Sequence, residues 1–469
     1  MLTGITDESN VRFSTYTYND QGIMQSEEHA GGVNRYEFIV QSPNGEQSTT
    51  QVTDPLSKYR GYVFTRSKGV MRTQGTSVYC PTCPNLGQAT YDGNGNVESR
   101  SDLNGSRTEY VFDQTRNLET SRTEGLTSYG SVTSATRTIT TQWHPIYRLP
   151  VEEKVYAGAG ANGTPERVTA YTHDAAGNVL TRTVSDVSVV PTVSRSWTYT
   201  WDSYGRMLTE NGPRTDVSDL TTYTYYTCTT GTQCGQINTV KNAKNQITTY
   251  NTYNAHGQVI QVTDSNGVKT RFAYDARQRL TTRTLAYATA AAEVTTFEYW
   301  PTGLLKKVTA PDGSFLLYTY DPAHRLTQIE DGLGNQTRFV LDAMGNRQVE
   351  NQYDPFGALA RTRTQLFNDL GQLWQQLQAA GTDTTATVFG YDQAGNQTTT
   401  AAPLGRNTVQ SFDALNRLKE ITDPAYGVTR FEYDSRDNLT QVTDPRNLVT
   451  GYQYNALGDL KQLTSPTRA

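Results

Sequence analysis

The sequence predicts an all-β protein: an array of β-hairpin repeats, each of about 21 residues, stacked into one long coiled antiparallel sheet. Three observations predict it. An aromatic residue followed by Asp or Asn recurs at near-constant spacing, turn-forming residues sit at fixed offsets from it, and the segments between turns alternate apolar with polar side chains.

The recurrence is most regular in the second half of the chain. Its anchors are Tyr253-Asn254, Tyr274-Asp275, Tyr299-Trp300, Tyr320-Asp321, Leu341-Asp342, Phe367-Asn368, Tyr391-Asp392, Phe412-Asp413, Tyr433-Asp434 and Tyr454-Asn455. The steps between successive anchors are 21, 25, 21, 21, 26, 24, 21, 21 and 21. Looser copies precede them at Tyr18-Asn19, Tyr91-Asp92, Phe112-Asp113, His173-Asp174 and Trp201-Asp202.

Each anchor opens a turn. In Tyr274-Asp-Ala-Arg-Gln-Arg-Leu280 and Tyr391-Asp-Gln-Ala-Gly-Asn396, the Asp side chain is placed to accept hydrogen bonds from backbone N–H groups further along. A Gly or Asn three residues after the Asp tolerates a left-handed backbone, as Gly395 does in the second case. This is the chemistry of a type I turn with a bulge that closes a hairpin. A second turn signal follows about ten residues later, at Asp264-Ser-Asn-Gly267, Asp331-Gly-Leu-Gly334, Asp423-Pro-Ala-Tyr-Gly427 and Asp444-Pro-Arg-Asn447. One repeat therefore holds two turns and two strands. Tyr274, Asp275, Tyr320, Asp321, Tyr391, Asp392, Gly395, Phe412, Asp413, Tyr433 and Asp434 are assigned to this architecture.

Between turns, stretches such as Thr270-Arg-Phe-Ala-Tyr274 and Gly451-Tyr-Gln-Tyr454 place every second side chain on one sheet face. Hydrophobic residues make up only 35% of the chain, and 30 Tyr outnumber 13 Phe and 5 Trp. That supply is too small for a thick aliphatic core but suits a thin sheet packed through amphipathic rings. A lone hairpin is marginal in water, so each repeat needs its neighbours. The expected organisation is one continuous architecture in three stretches: degenerate repeats or a cap over 1–84, irregular repeats over 85–252, and regular repeats over 253–469. The longer step containing Ala286–Glu293 reads as an extended hairpin tip, and 157–164 as a surface loop.

The motif resembles that of the YD-repeat, or RHS-repeat, family of bacterial proteins, with the related shells of Tc insecticidal toxins and teneurins. Tyr-Asp-x-x-Gly-Arg-Leu has near copies at Trp201–Leu208, Tyr320–Leu326 and Phe412–Leu418, and more than a dozen copies run in register over roughly 85–460. The resemblance implies a sheet wound spirally into an open shell that encloses a toxin. In that family a core-associated segment, often a self-cleaving aspartyl protease, and then the toxin follow the repeats. Neither is seen in these 469 residues, so an array fragment of a longer chain is expected. Tyr353-Asp-Pro-Phe-Gly-Ala-Leu359 is similar to the family's boundary motif but lies in mid-array, where turn formation already explains its Asp-Pro.

Few residues are left over for chemistry. The four cysteines form two local pairs. Cys228 and Cys234 bracket a Gly-containing loop and are candidates for a disulfide, with Cys80 and Cys83 a tighter second candidate. A zinc ion uniting all four, or thiols without a role, are the alternatives. Of the histidines His29, His144, His173, His256 and His324, three fall inside turn motifs. No nucleophile elbow, zinc-protease or phosphate-loop motif is present, so no catalytic, cofactor-binding or metal-binding residue is assigned. Asp recurs at the same turn position in nearly every repeat, which accounts for it without a glycosidase carboxylate pair.

Lys and Arg total 41 against 46 Asp and Glu, with both signs interspersed, which argues against a nucleic-acid footprint. The longest apolar runs, such as Phe315–Tyr318, are too short to cross a membrane, and the N-terminus shows no secretory signal. The leading expectation is a structural shell or scaffold of a toxin or contact-dependent competition system, secreted or at the cell surface. Its partners would be toxin cargo or further segments of a longer chain. The alternatives are a repeat module binding a glycan or cell-surface protein, and a polysaccharide-active enzyme on a β-repeat scaffold. An enzyme is the less expected outcome.

Overall fold

A computed structural model describes residues 1–42, 45–76, 88–380 and 383–466. Thirty-nine strands and two single-turn 3-10 helices are found among the described residues. Seven strands, from Gly4–Thr6 to Val70–Thr76, form one antiparallel sheet, and thirty-two, from Ala89–Tyr91 to Leu460–Thr464, form another. In both, each strand pairs with its neighbours in sequence, so the sheets are ribbons built by successive hairpins. The long ribbon is all-β, antiparallel and not closed: among the described residues no ladder joins Leu460–Thr464 back to Ala89–Tyr91.

The alternation of side chains decides which face is covered. In strand Val193–Trp201, Arg195, Trp197, Tyr199 and Trp201 are partly buried, and the residues between them are exposed. On the exposed face hydroxyl pairs cross from strand to strand, as in Thr172–Thr181 at 2.7 Å, Thr183–Ser196 at 2.9 Å and Thr200–Thr209 at 2.6 Å. Thr suits such a position because its branched side chain packs on the pleat while its hydroxyl stays satisfied. Buried apolar side chains cluster in the successive strands from Leu118–Leu126 to Val179–Asp186, at Leu118, Leu126, Ile139, Val155 and Val184. Elsewhere the ribbon is one layer thick and half wet.

The ribbon coils until its edge meets an earlier part of the chain. Asp7 touches His324 at 2.9 Å, Lys58 touches Asp369 at 3.1 Å, and Asn104 donates to Asp392 at 2.9 Å. Further along, Arg137 pairs with Asp437 at 2.7 Å, Arg195 with Asp459 at 2.6 Å, and the Ala456 N–H donates to Asp186 at 3.1 Å. The partners lie between 264 and 317 residues apart. Both sheets contribute to this seam.

Candidate functional site: the repeat turn and the coil seam

The anchor motif works through its aspartate. At Asp275 one carboxylate oxygen accepts from the N–H groups of Arg277 and Arg279, at 2.9 and 3.0 Å, and the other accepts from Arg279 Nε at 2.7 Å. Asp321 and Asp413 repeat this pattern with Arg325 and Arg417. Where the motif has Asn in place of Arg, the amide takes the second oxygen, as Asn396 does for Asp392 at 2.9 Å and Asn438 for Asp434 at 2.9 Å. Gln278, His324, Asn416 and Asp437 occupy the left-handed position, and Gly395 does so at φ 91°. Each anchor aromatic marks a bulge in its ladder, as between Ala273 and Tyr274 or Glu432 and Tyr433.

The aromatic and the arginine also couple one repeat to the next. In several repeats, a backbone carbonyl six residues after an anchor accepts from the aromatic anchor of the following repeat. Trp201 Nε1 donates to Val179 O at 2.7 Å, Tyr225 to Met207 at 2.8 Å, Tyr274 to Val259 at 3.0 Å, Tyr299 to Leu280 at 2.8 Å and Tyr391 to Leu373 at 2.8 Å. This explains Tyr in preference to Phe: the ring fills the sheet face and its hydroxyl satisfies a carbonyl beside the bulge. The motif arginine lies over the same ring, with Arg206 4.5 Å from the Tyr225 ring, Arg279 4.6 Å from Tyr299 and Arg417 4.7 Å from Tyr433. Its outer nitrogen reaches the next turn, as Arg417 does to Asp434 O at 2.9 Å and Arg325 to Asp342 O at 2.8 Å.

The electrostatics follow from these bonds. The Arg279 side chain, with backbone N–H groups, holds the Asp275 carboxyl below the usual range. Asn178 does the same for Asp174, and Gln114 with Asn96 brings Asp92 down to about 2. Burial pushes the phenols of Tyr274, Tyr320, Tyr391 and Tyr433 up, and that of Tyr253 up to about 12. Both shifts favour the protonation states present at neutral pH.

The RHS-repeat model matches residues 253–290, 299–336, 320–359, 412–448 and 433–469. Those stretches of the chain are RHS repeats. A relative, the double-stranded DNA deaminase toxin A of Burkholderia cenocepacia (strain H111), is 30% identical over 149 residues, which is 32% of this chain and 10% of the relative. Among solved structures, the complex TcdB2-TccC3-Cdc42 aligns over 98% of this chain and 31% of its own, at 12% identity and a TM-score of 0.40. The Photorhabdus luminescens Tc holotoxin pore aligns over 96% and 30%, at 12% identity and a TM-score of 0.28. The chain thus spans a tenth of the relative and under a third of the aligned structures' chains.

The remaining candidates also find places in the ribbon. Cys228 and Cys234 form a disulfide with Cα atoms 5.0 Å apart, in the loop after strand Thr221–Tyr225. Cys80 and Cys83 lie outside the described residues. His324 stacks on Phe13 at the seam with ring centroids 4.4 Å apart, and His29 lies 4.6 Å from the same ring. His144 accepts from the N–H groups of Ile146 and Tyr147, His173 is an anchor stacked on Tyr171, and His256 occupies a turn in which its own N–H donates to Asn254. Asp354 in the segment 353–359 accepts from the N–H groups of Phe356 and Ala358, as any repeat turn does. Among the described residues no group of three or more His, Cys, Asp or Glu is placed to hold a metal, and no helix is long and apolar enough to cross a membrane.

Proposed function

We propose that this chain is a wall segment of a shell in a toxin system, enclosing or presenting a cargo carried on further segments of a longer chain. The observation behind the proposal is the seam. A one-layer ribbon whose far edge returns to its near edge, through contacts such as Arg137–Asp437 at 2.7 Å between partners 300 residues apart, has the form of a wall. The toxin named among its relatives supports the setting. The repeat motif supports the mechanism, because its Tyr, Asp and Arg side chains are committed to holding hairpins together. Function is then steric: the wall separates what is inside from solvent. Electron microscopy of the purified chain tests the shape, with a hollow coil one sheet thick expected and an extended rod or solid particle contradicting it. Protease protection of a passenger polypeptide fused after Ala469 tests enclosure; digestion at the rate of the free passenger contradicts it.

A further inference from the structure

The seam holds a cavity of about 250 Å³ that no part of the repeat motif explains. Its floor is one face of three neighbouring strands, in which Tyr171, Arg182 and Trp197 stand opposite one another, as do Thr169, Val184 and Arg195. Its roof comes from the turns containing Arg436 and Ala456, about 270 residues further along. Four guanidinium groups line it, those of Arg167, Arg182, Arg195 and Arg436, against one lining carboxylate, Glu153.

Carboxylates in and around the cavity take up part of this charge. Arg195 pairs with Asp459 at 2.6 Å and Arg436 with Asp434 at 2.7 Å, while Arg167 is 3.9 Å from Glu153 and Arg436 Nε is 3.6 Å from Glu166. Donors remain unused. The Nε atoms of Arg167 and Arg436 are buried without a hydrogen-bond partner. Arg182 lies over the Trp197 ring at 4.7 Å and has no ion pair among the described residues. Buried guanidinium N–H groups are costly to leave unpaired, and forked N–H donors match the oxygens of a phosphate or sulfate. The volume is below that of a drug-sized pocket, so the occupant is small.

We propose that this cavity binds a tetrahedral oxyanion, phosphate or sulfate, either free or as the charged group of a small molecule. Because floor and roof belong to successive passes of the coil, the bound anion contacts both and holds the seam shut. Anything that binds only the closed coil stabilises it by mass action. The inference rests on the seam and not on the shell reading.

The test titrates the intact chain with inorganic phosphate, and separately with sulfate, against chloride at fixed ionic strength, following heat release and the thermal midpoint. Saturable binding with a rising midpoint is expected. R182Q, which breaks no seam contact, should weaken that binding at least tenfold, whereas R446Q at an exposed turn should leave it unchanged. Circular dichroism checks that each variant keeps its strands. General salting-out by these anions would raise the midpoint without saturation and equally in all three proteins, and that result would overturn the proposal. If phosphate saturates and sulfate does not, the site takes phosphate specifically. A phosphorylated sugar that binds more tightly than inorganic phosphate would identify the anion as a group on a larger molecule.

Discussion

Hairpins within one pass of the coil and hairpins in successive passes are held together by different physics. Along the ribbon, each strand shares a backbone ladder with the next. Aromatic anchors add a second bond, as with Tyr391 to Leu373 O at 2.8 Å, and motif arginines lie over the next ring. Across the seam there are side-chain pairs and isolated backbone contacts, such as Lys58–Asp369 at 3.1 Å with side chains about half exposed. Exposed ion pairs contribute little individually and are screened by salt, whereas ladders are insensitive to it. The seam is therefore the joint that opens first, and the ribbon is the part that persists when it does.

The largest effect should come from breaking the ribbon. Tyr253 is 7% exposed and donates to Ile237 O at 2.7 Å. Tyr253→Ala should cost about 3 kcal/mol in thermal or denaturant melts, because a buried ring is lost. Tyr253→Phe, which removes only the bond, should cost about 1 kcal/mol. Equal losses in the two variants would mean that the hydroxyl and not the ring carries the coupling.

Alkali should act on the same rings. The Tyr253 phenol is raised by burial to about 12, above its unfolded value near 10, so its contribution is complete below pH 10 and is lost as pH rises towards 12. A melt series across that range should show a falling midpoint, less steep in Tyr253→Phe.

Acid should act on turns and seam. Hydrogen bonds from Gln114 and Asn96 lower Asp92 to about 2, and the His324 hydrogen bond lowers Asp7 at the seam. A lowered carboxyl contributes stability that is present above its unfolded value near 3.8 and lost as pH falls through the folded one. Small-angle scattering between pH 5 and pH 2 should show the coil loosening before circular dichroism reports loss of strand. Simultaneous loss would erase the distinction between the two joints.

The smallest effect is expected at the seam itself. Arg195→Ala removes the contact to Asp459 from a side chain that is 40% exposed, and should cost no more than about 0.5 kcal/mol in a melt. Its sensitivity to added salt should nevertheless be less than that of the unaltered chain.

What the sequence makes legible divides along the same line. The turn is local: Asp275 needs only the backbone two and four residues on, so spacing alone reveals it. The bulge and the alternating faces follow for the same reason. The role of the Tyr hydroxyl escapes a reading of the motif, although the excess of 30 Tyr over 13 Phe is a signal that the ring's polar end is used. The stretch up to Thr76 reads as degenerate because the aromatic anchor is often absent. Asp54 follows Thr53 and still accepts from the N–H groups of Leu56 and Lys58 at 2.9 Å each, so the Asp without its aromatic is enough to set a turn. The seam and its basic cavity are not legible. Their partners lie hundreds of residues apart, and the register between passes depends on accumulated twist, which no short motif encodes.

Successive passes of the ribbon meet at a defined register, with Arg195 against Asp459. A chain carrying R195C and D459C tests it directly, with the two thiols joined by a bis-maleimide whose span matches an Arg–Asp pair and the linkage read by mass spectrometry of the digested protein. Cross-linking between positions 195 and 459 within one chain at low salt, suppressed at high salt while strand content is retained, is the predicted result. A chain that stays folded yet never forms that cross-link, or forms it only between molecules, would contradict the account.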